Sequence, residues 1–160
     1  MTNIILLLAV LFSLAFLGLL WLRQSLLHKL SSLTHHEVVL RRDLQKQRDT
    51  VPLILEGLRE SNPATDAWRK MVQDRAQFHT SSNLKQELEF ASNLQHFISE
   101  NSSKSLKFLE GKKDIEELGM LVLKERESLA REAEAYNEKR KGFPYSVASA
   151  IFGLRDVTVL

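Results

Sequence analysis

With 160 residues, 44% of them hydrophobic, the chain has room for one soluble domain and a short appendage. A net charge of +2 is too small a basic surplus for a nucleic-acid partner, and the absence of cysteine excludes disulfides, zinc thiolates and cysteine nucleophiles. Glycines and prolines number only 6 and 3, and no segment sustains a strand-like alternation, so an all-α fold is expected.

Residues 4–22 read I-I-L-L-L-A-V-L-F-S-L-A-F-L-G-L-L-W-L, with no charged side chain before Arg23. The run is about the length that a hydrocarbon core of roughly 30 Å requires. Trp21 stands at its end, where an amphipathic ring favours the membrane interface. A cleaved signal peptide is the rival reading. It normally carries a basic n-region and a small-residue cleavage site. Met1, Thr2 and Asn3 supply no basic side chain, and Trp21 to Gln24 is a poor cleavage site, so an uncleaved transmembrane helix is preferred. A buried core helix is the third option, but so long an all-round apolar surface is hard to cover in a small domain. Arg23, His28 and Lys29 follow the run and no Lys or Arg precedes it. The positive-inside tendency then puts the short N-terminus outside and the C-terminal part in the cytoplasm.

Beyond the apolar run, residues 23–33 form a juxtamembrane helical connector through Leu26, Leu27, Leu30 and Leu33. Residues 34–153 are expected to make a bundle of long helices, and 154–160 an uninformative tail. The first bundle helix runs to Glu60 with Leu40, Leu44, Val51, Leu55 and Leu58 on its apolar face. Pro52 lies inside it, so a kink or break is expected there. Ser61-Asn62-Pro63 is a boundary, and a second helix is expected from Pro63 to Phe78. Thr80 to Asn83 are turn formers, read as a loop or a frayed bend. Leu84, Leu88, Ala91, Leu94, Phe97 and Ile98 then restart the stripe. Leu106, Phe108 and Leu109 are a short apolar cluster that Gly111-Lys112-Lys113 should end.

The longest predicted bundle helix spans 114–143. Ile115, Leu118, Val122, Leu129, Ala133 and Tyr136 form its apolar stripe, Asp114 is its expected cap, and Lys139 to Lys141 crowd its last turn. Gly142 and Pro144 stop it. After Pro144, Val147, Ala148, Ile151 and Phe152 are expected to form one face of a short helix closed by Gly153.

Polar motifs divide into structural and chemical readings. Tyr136 on the apolar stripe can bury its ring, and Asn137 can donate and accept at once. Both are read as locking the helix end against the Pro144 turn, with a ligand pocket as the alternative. His35-His36-Glu37 invites a metal, but adjacent residues point to different helix faces, and His28, His79 and His96 show no convergent spacing. The carboxylates of 116–138 mostly alternate with Lys or Arg, as on a solvated face. Arg41, Arg42, Lys46 and Arg48 are diluted by Glu37, Asp43 and Asp49, so an ordinary exposed face is preferred to a lipid-binding patch. No phosphate loop, nucleophile elbow or Ser/His/Asp signature occurs, so no catalytic, cofactor or metal residue is nominated.

Two segments resemble the LemA family of membrane-anchored bacterial helical proteins. Leu44 to Glu56, L-Q-K-Q-R-D-T-V-P-L-I-L-E, is similar to a family run that closes on an apolar-Pro pair and an apolar-Glu pair. Arg126 to Pro144 is similar to the family signature of two Tyr-Asn pairs followed by Phe-Pro. Tyr136-Asn137 and Phe143-Pro144 match it, while Leu129-Ala130 replaces the first pair. A-S-A-I-F-G-L resembles the family's closing Ala and Gly pattern, with Leu154 after Gly153 in place of Phe. Asp74-Arg75-Ala76 is a weaker echo of an Ala-Arg segment. The resemblance implies a long-helix antiparallel bundle behind one membrane helix, in which Pro52, Tyr136, Asn137, Phe143, Pro144 and Gly153 are signature positions with structural roles. A non-enzymatic interaction or scaffold protein at the bacterial cytoplasmic membrane is therefore expected, with the bilayer and an unnamed protein as partners and no cofactor. The alternative is a ligand or metal sensor with a pocket at the Tyr136/Asn137 end.

Overall fold

The computed structural model describes residues 2–61, 69–73, 75 and 83–158. Four helices organise them: α1 (Thr2–Ser61), α2 (Leu84–Glu100), α3 (Leu106–Lys141) and α4 (Tyr145–Phe152). Residues 69–73 are also helical, and no strand occurs among the described residues. The rest of the second helix expected over 63–78, and the Asn62-Pro63 boundary, lie outside the described residues.

The apolar run, the connector and the first bundle helix are one unbroken helix of 60 residues, a path of about 90 Å at 1.5 Å per residue. Of the kink or break expected at Pro52, a break does not occur. Proline removes one helical donor, but Pro52 is exposed, so water can serve the carbonyl left over. Along the apolar run the large side chains are exposed as far as Leu17, with Phe12 76% and Leu6 68% exposed, and burial begins only at its end, at Leu22. Ser13, the one hydroxyl there, donates back to the carbonyl of Ala9 at 2.8 Å, which satisfies it without water. α1 is thus long and apolar enough to cross a membrane, and none of its apolar window is buried.

Contacts divide the chain into two compact units, one of Met1–His36 with Ser128–Val159 and one of Glu37–Glu127. In the second unit, Val51, Ile54, Phe90, Leu94, Phe108 and Ile115 are the heart of the core. α2 starts at Asn83, whose Oδ1 accepts from the Lys85 amide at 3.0 Å, and ends at Asn101, whose amide and side chain both donate to the Phe97 carbonyl. Phe90, Ala91, Leu94, Phe97 and Ile98 bury its inner face.

α3 begins at Leu106, about two turns ahead of the expected cap at Asp114. Asp114 is an exposed helical residue and Gly111 is a buried one. The run Gly111-Lys112-Lys113 imitates a helix end, but its glycine answers to packing. A Cβ at Gly111 would stand 2.6 Å from Ile54 Cγ1, and one at Gly57 would stand 2.5 Å from the Phe108 backbone nitrogen. These close approaches let Phe108 reach 1% exposure. From there Phe108, Ile115, Val122, Leu129 and Tyr136 are all buried, every second turn of α3.

In the first unit, Leu26, Leu33, Leu129, Ala133, Tyr136 and Ala148 are buried. Lys29 pairs with Glu132 at 3.1 Å, and Lys139 donates to Ser25 Oγ at 2.9 Å. The face predicted for α4 is corrected in part. Ala148 and Ser149 are its buried residues, while Val147 and Ile151 are 45% and 58% exposed. Small side chains allow the close approach, and the Ser149 hydroxyl is satisfied by the Tyr145 carbonyl at 2.9 Å. Gly153 closes α4 at φ 65, a left-handed conformation that a Cβ disfavours.

Candidate functional site

Of the six positions singled out in the sequence, Tyr136 and Asn137 lie near the end of α3, while Phe143, Pro144 and Gly153 lie beyond it. Tyr136 faces inward because it falls on the apolar stripe, and it is 1% exposed. Burial raises its pKa, opposed by the charge of Arg140 and reinforced by that of Asp156. Asn137 is one residue round the helix and meets the tail. Its Nδ2 donates to the Val157 carbonyl at 2.8 Å and its Oδ1 accepts from the Val157 amide at 2.9 Å. That reciprocal pair holds the tail backbone at Val157 as a backbone partner would. Arg140 adds a second clasp: Nε donates to Asp156 at 3.0 Å and Nη1 to the Leu154 carbonyl at 3.2 Å. The partner of Asn137 is therefore the tail, a segment that had looked uninformative.

The other residues singled out in the sequence take no part in these bonds. Pro144 sits ahead of α4 as its cap residue, Gly153 ends α4, and Phe143 is 86% exposed. Pro52 belongs to the other unit. As arranged, Asn137 and Arg140 spend their polar atoms on protein backbone and on Asp156, which is the work of a fastening.

A separate feature lies between α2 and α3 in the unit of Glu37–Glu127. It is an open groove of about 470 Å³, lined by Gln95, Ile98, Ser99, Lys112, Ile115, Glu116, Gly119, Met120 and Leu123. Met120 and Leu123 stand at it 66% and 56% exposed. Gln47, 1% exposed, lies near Gly119, with Nε2 donating to the Ile115 carbonyl at 3.5 Å and Oε1 unpartnered among the described residues. Gln47 was not singled out from the sequence. Its signal was available: it stands between Leu44 and Val51 at the spacing of the buried stripe.

Metal ligation finds no constellation. Among the described residues no three His, Cys, Asp or Glu side chains converge. The His96 ring instead lies 3.2 Å from Glu100 on the surface of α2. Family models, curated proteins and solved structures all return no match to the chain.

Proposed function

We propose that the protein is a membrane-anchored, LemA-like interaction or scaffold protein without enzymatic activity, built as an antiparallel bundle behind one transmembrane helix at the bacterial cytoplasmic membrane. The supporting observation is α1, whose apolar window is unburied yet continues without interruption into packed helix. Antiparallel packing is supported by the pairing of Gly57 with Phe108 and Ile54 with Gly111 in one unit, and of Lys29 with Glu132 and Ser25 with Lys139 in the other. In both, residues later in α1 meet residues earlier in α3. The LemA reading rests on the Tyr136-Asn137 and Phe143-Pro144 motifs. The basic residues after Leu22 favour a cytoplasmic body, with residues 1–3 on the far side.

Alkaline carbonate washing of membranes tests the anchor. The full chain should stay with the membrane, and a chain lacking residues 4–22 should leave it. Release of the intact chain would end the proposal. Protease added to intact cells should leave the body uncut, and cleavage from outside would reverse the topology. For the interaction role, a photo-crosslinking residue at Met120 or Leu123 of the membrane-bound chain should trap one specific protein, and the same residue at the exposed Lys113 should not. Equal labelling at all three, together with substrate turnover by the purified protein, would replace a scaffold with an enzyme.

A further inference from the structure

Helix α4 leaves an apolar face uncovered at the foot of the apolar span. Val147 and Ile151 stand one turn apart on one side of α4, 45% and 58% exposed, and Phe143, 86% exposed, lies in the turn that leads into it. Three bulky apolar groups exposed so close together in the chain are unusual for a surface met only by water. The opposite side of α4 is the packed one, carrying Ala148 and Ser149.

Contacts place α4 beside the exit of the apolar run. The Arg23 guanidinium lies 5.4 Å from the Phe152 ring centre. Lys139 reaches both Ser25 and the face of Tyr145, its Nζ 4.7 Å from that ring centre. Arg23 is the first charged residue after the span, so Phe152 sits at the level where the apolar segment ends. Trp21, 67% exposed, marks the same level on α1.

Charge around this face is unequal. Arg23, Lys141 and Arg155 are exposed. Asp156 is committed to Arg140, and Glu138 is the exposed acid nearby in sequence. A bulky apolar face beside the end of an apolar span, with exposed cations close to it in the chain and Arg23 against Phe152, suits an anionic bilayer surface.

We propose that α4 is a membrane-interface helix: Phe143, Val147 and Ile151 enter the headgroup–acyl boundary of the bilayer crossed by residues 4–22, while Arg23, Lys141 and Arg155 meet anionic headgroups. This rests on the anchor reading. Burying the three side chains in lipid would give α1 a second attachment and fix how the helix ends at the membrane.

The natural chain has no cysteine, so single thiols can be placed cleanly. Full-length Val147→Cys, Ile151→Cys, Phe12→Cys and Glu134→Cys, each carrying an environment-sensitive fluorophore, would be reconstituted into vesicles of phosphatidylcholine and phosphatidylglycerol. All four positions are exposed in the protein, so the labels disturb no packing. Labels at 147 and 151 should emit to the blue of the label at 134. They should be quenched by lipid brominated near the headgroup and be severalfold less quenched by aqueous iodide than the label at 134. The label at 12 should be quenched by lipid brominated deep in the acyl chain. If 12 is in lipid and both 147 and 151 are as open to iodide as 134, the interface helix is refuted and the anchor stands. If 12 is itself open to iodide, the anchor fails and the interface helix with it.

Discussion

At the scale of single residues, three glycine and polar positions separate packing from tolerance. Gly57 faces backbone, since an added Cβ would stand 2.5 Å from the Phe108 nitrogen. Gly57→Ala gains about 1 kcal/mol of helix propensity, but the overlap should cost more, leaving a net loss of roughly 1–2 kcal/mol in denaturant unfolding. At Gly119 the obstructing atom is the end of the flexible Gln95 side chain, which is exposed and can swing away. Gly119→Ala should therefore be neutral or stabilising by up to about 1 kcal/mol. Equal destabilisation by both would show that space at Gly57 is not the constraint. Gln47 keeps a buried Oε1 without a partner, so Gln47→Met should preserve or raise stability by about 1 kcal/mol. A large loss would mean that the oxygen is satisfied in solution. Tyr136 couples packing to pH. Its folded pKa is raised by burial, so the neutral phenol is favoured in the folded state. The contribution is full below the ordinary phenol value of about 10 and is lost as pH rises through the folded value. Thermal melts of the wild type should fall as pH climbs past that point, and Tyr136→Phe should flatten this alkaline limb. An unchanged slope would place the phenol in water.

Elements obey local signals only where packing agrees with them. Asn83 caps α2 through its side chain, so Asn83→Ala should lower stability by about 1 kcal/mol in chemical denaturation. A change below a few tenths would mean that water replaces the cap. The stripe of α3 was legible because Ile115, Val122, Leu129, Ala133 and Tyr136 repeat with the helix, and all are buried. The start of α3 was not legible. Gly111 beside two lysines has the composition of a helix end, and only the approach of Ile54 reveals another reason for the glycine. Pro52 does not end α1, since the tolerance of a helix for proline depends on which side faces water. α4 was placed correctly between Pro144 and Gly153, yet of its predicted face only Ala148 is buried while Val147 and Ile151 are exposed, because apolar periodicity does not say which apolar side chains meet protein. The clasp at the end of α3 was half visible. Asn137 announces a need for partners, but Val157 supplies backbone atoms, and backbone partners leave no mark on side-chain sequence.

For the whole molecule, the two compact units share α1 and α3 but the proposed anchor places part of α1 in a different solvent. In lipid a helix cannot exchange its backbone hydrogen bonds for bonds to water, so each opened amide is costly. In the unit of Glu37–Glu127 the backbone is held by side-chain burial around Leu94 and Phe108, which a single truncation can weaken. Leu94 is fully buried, and Leu94→Ala should cost about 2–5 kcal/mol there. Hydrogen exchange on the full chain in nanodiscs then separates the two sources of stability. In the wild type, amides of 4–22 should be the slowest. In Leu94→Ala, peptides from 37–61 and 84–100 should exchange faster, while those from 4–22 keep their rates. A helix nucleated in lipid can lose turns from its far end without unwinding at its root, since propagation adds or removes one hydrogen bond at a time. If 4–22 accelerates together with 37–61, α1 opens as one unit, and its first turns are held by the same aqueous packing as the rest. That result would remove the bilayer from the account of α1.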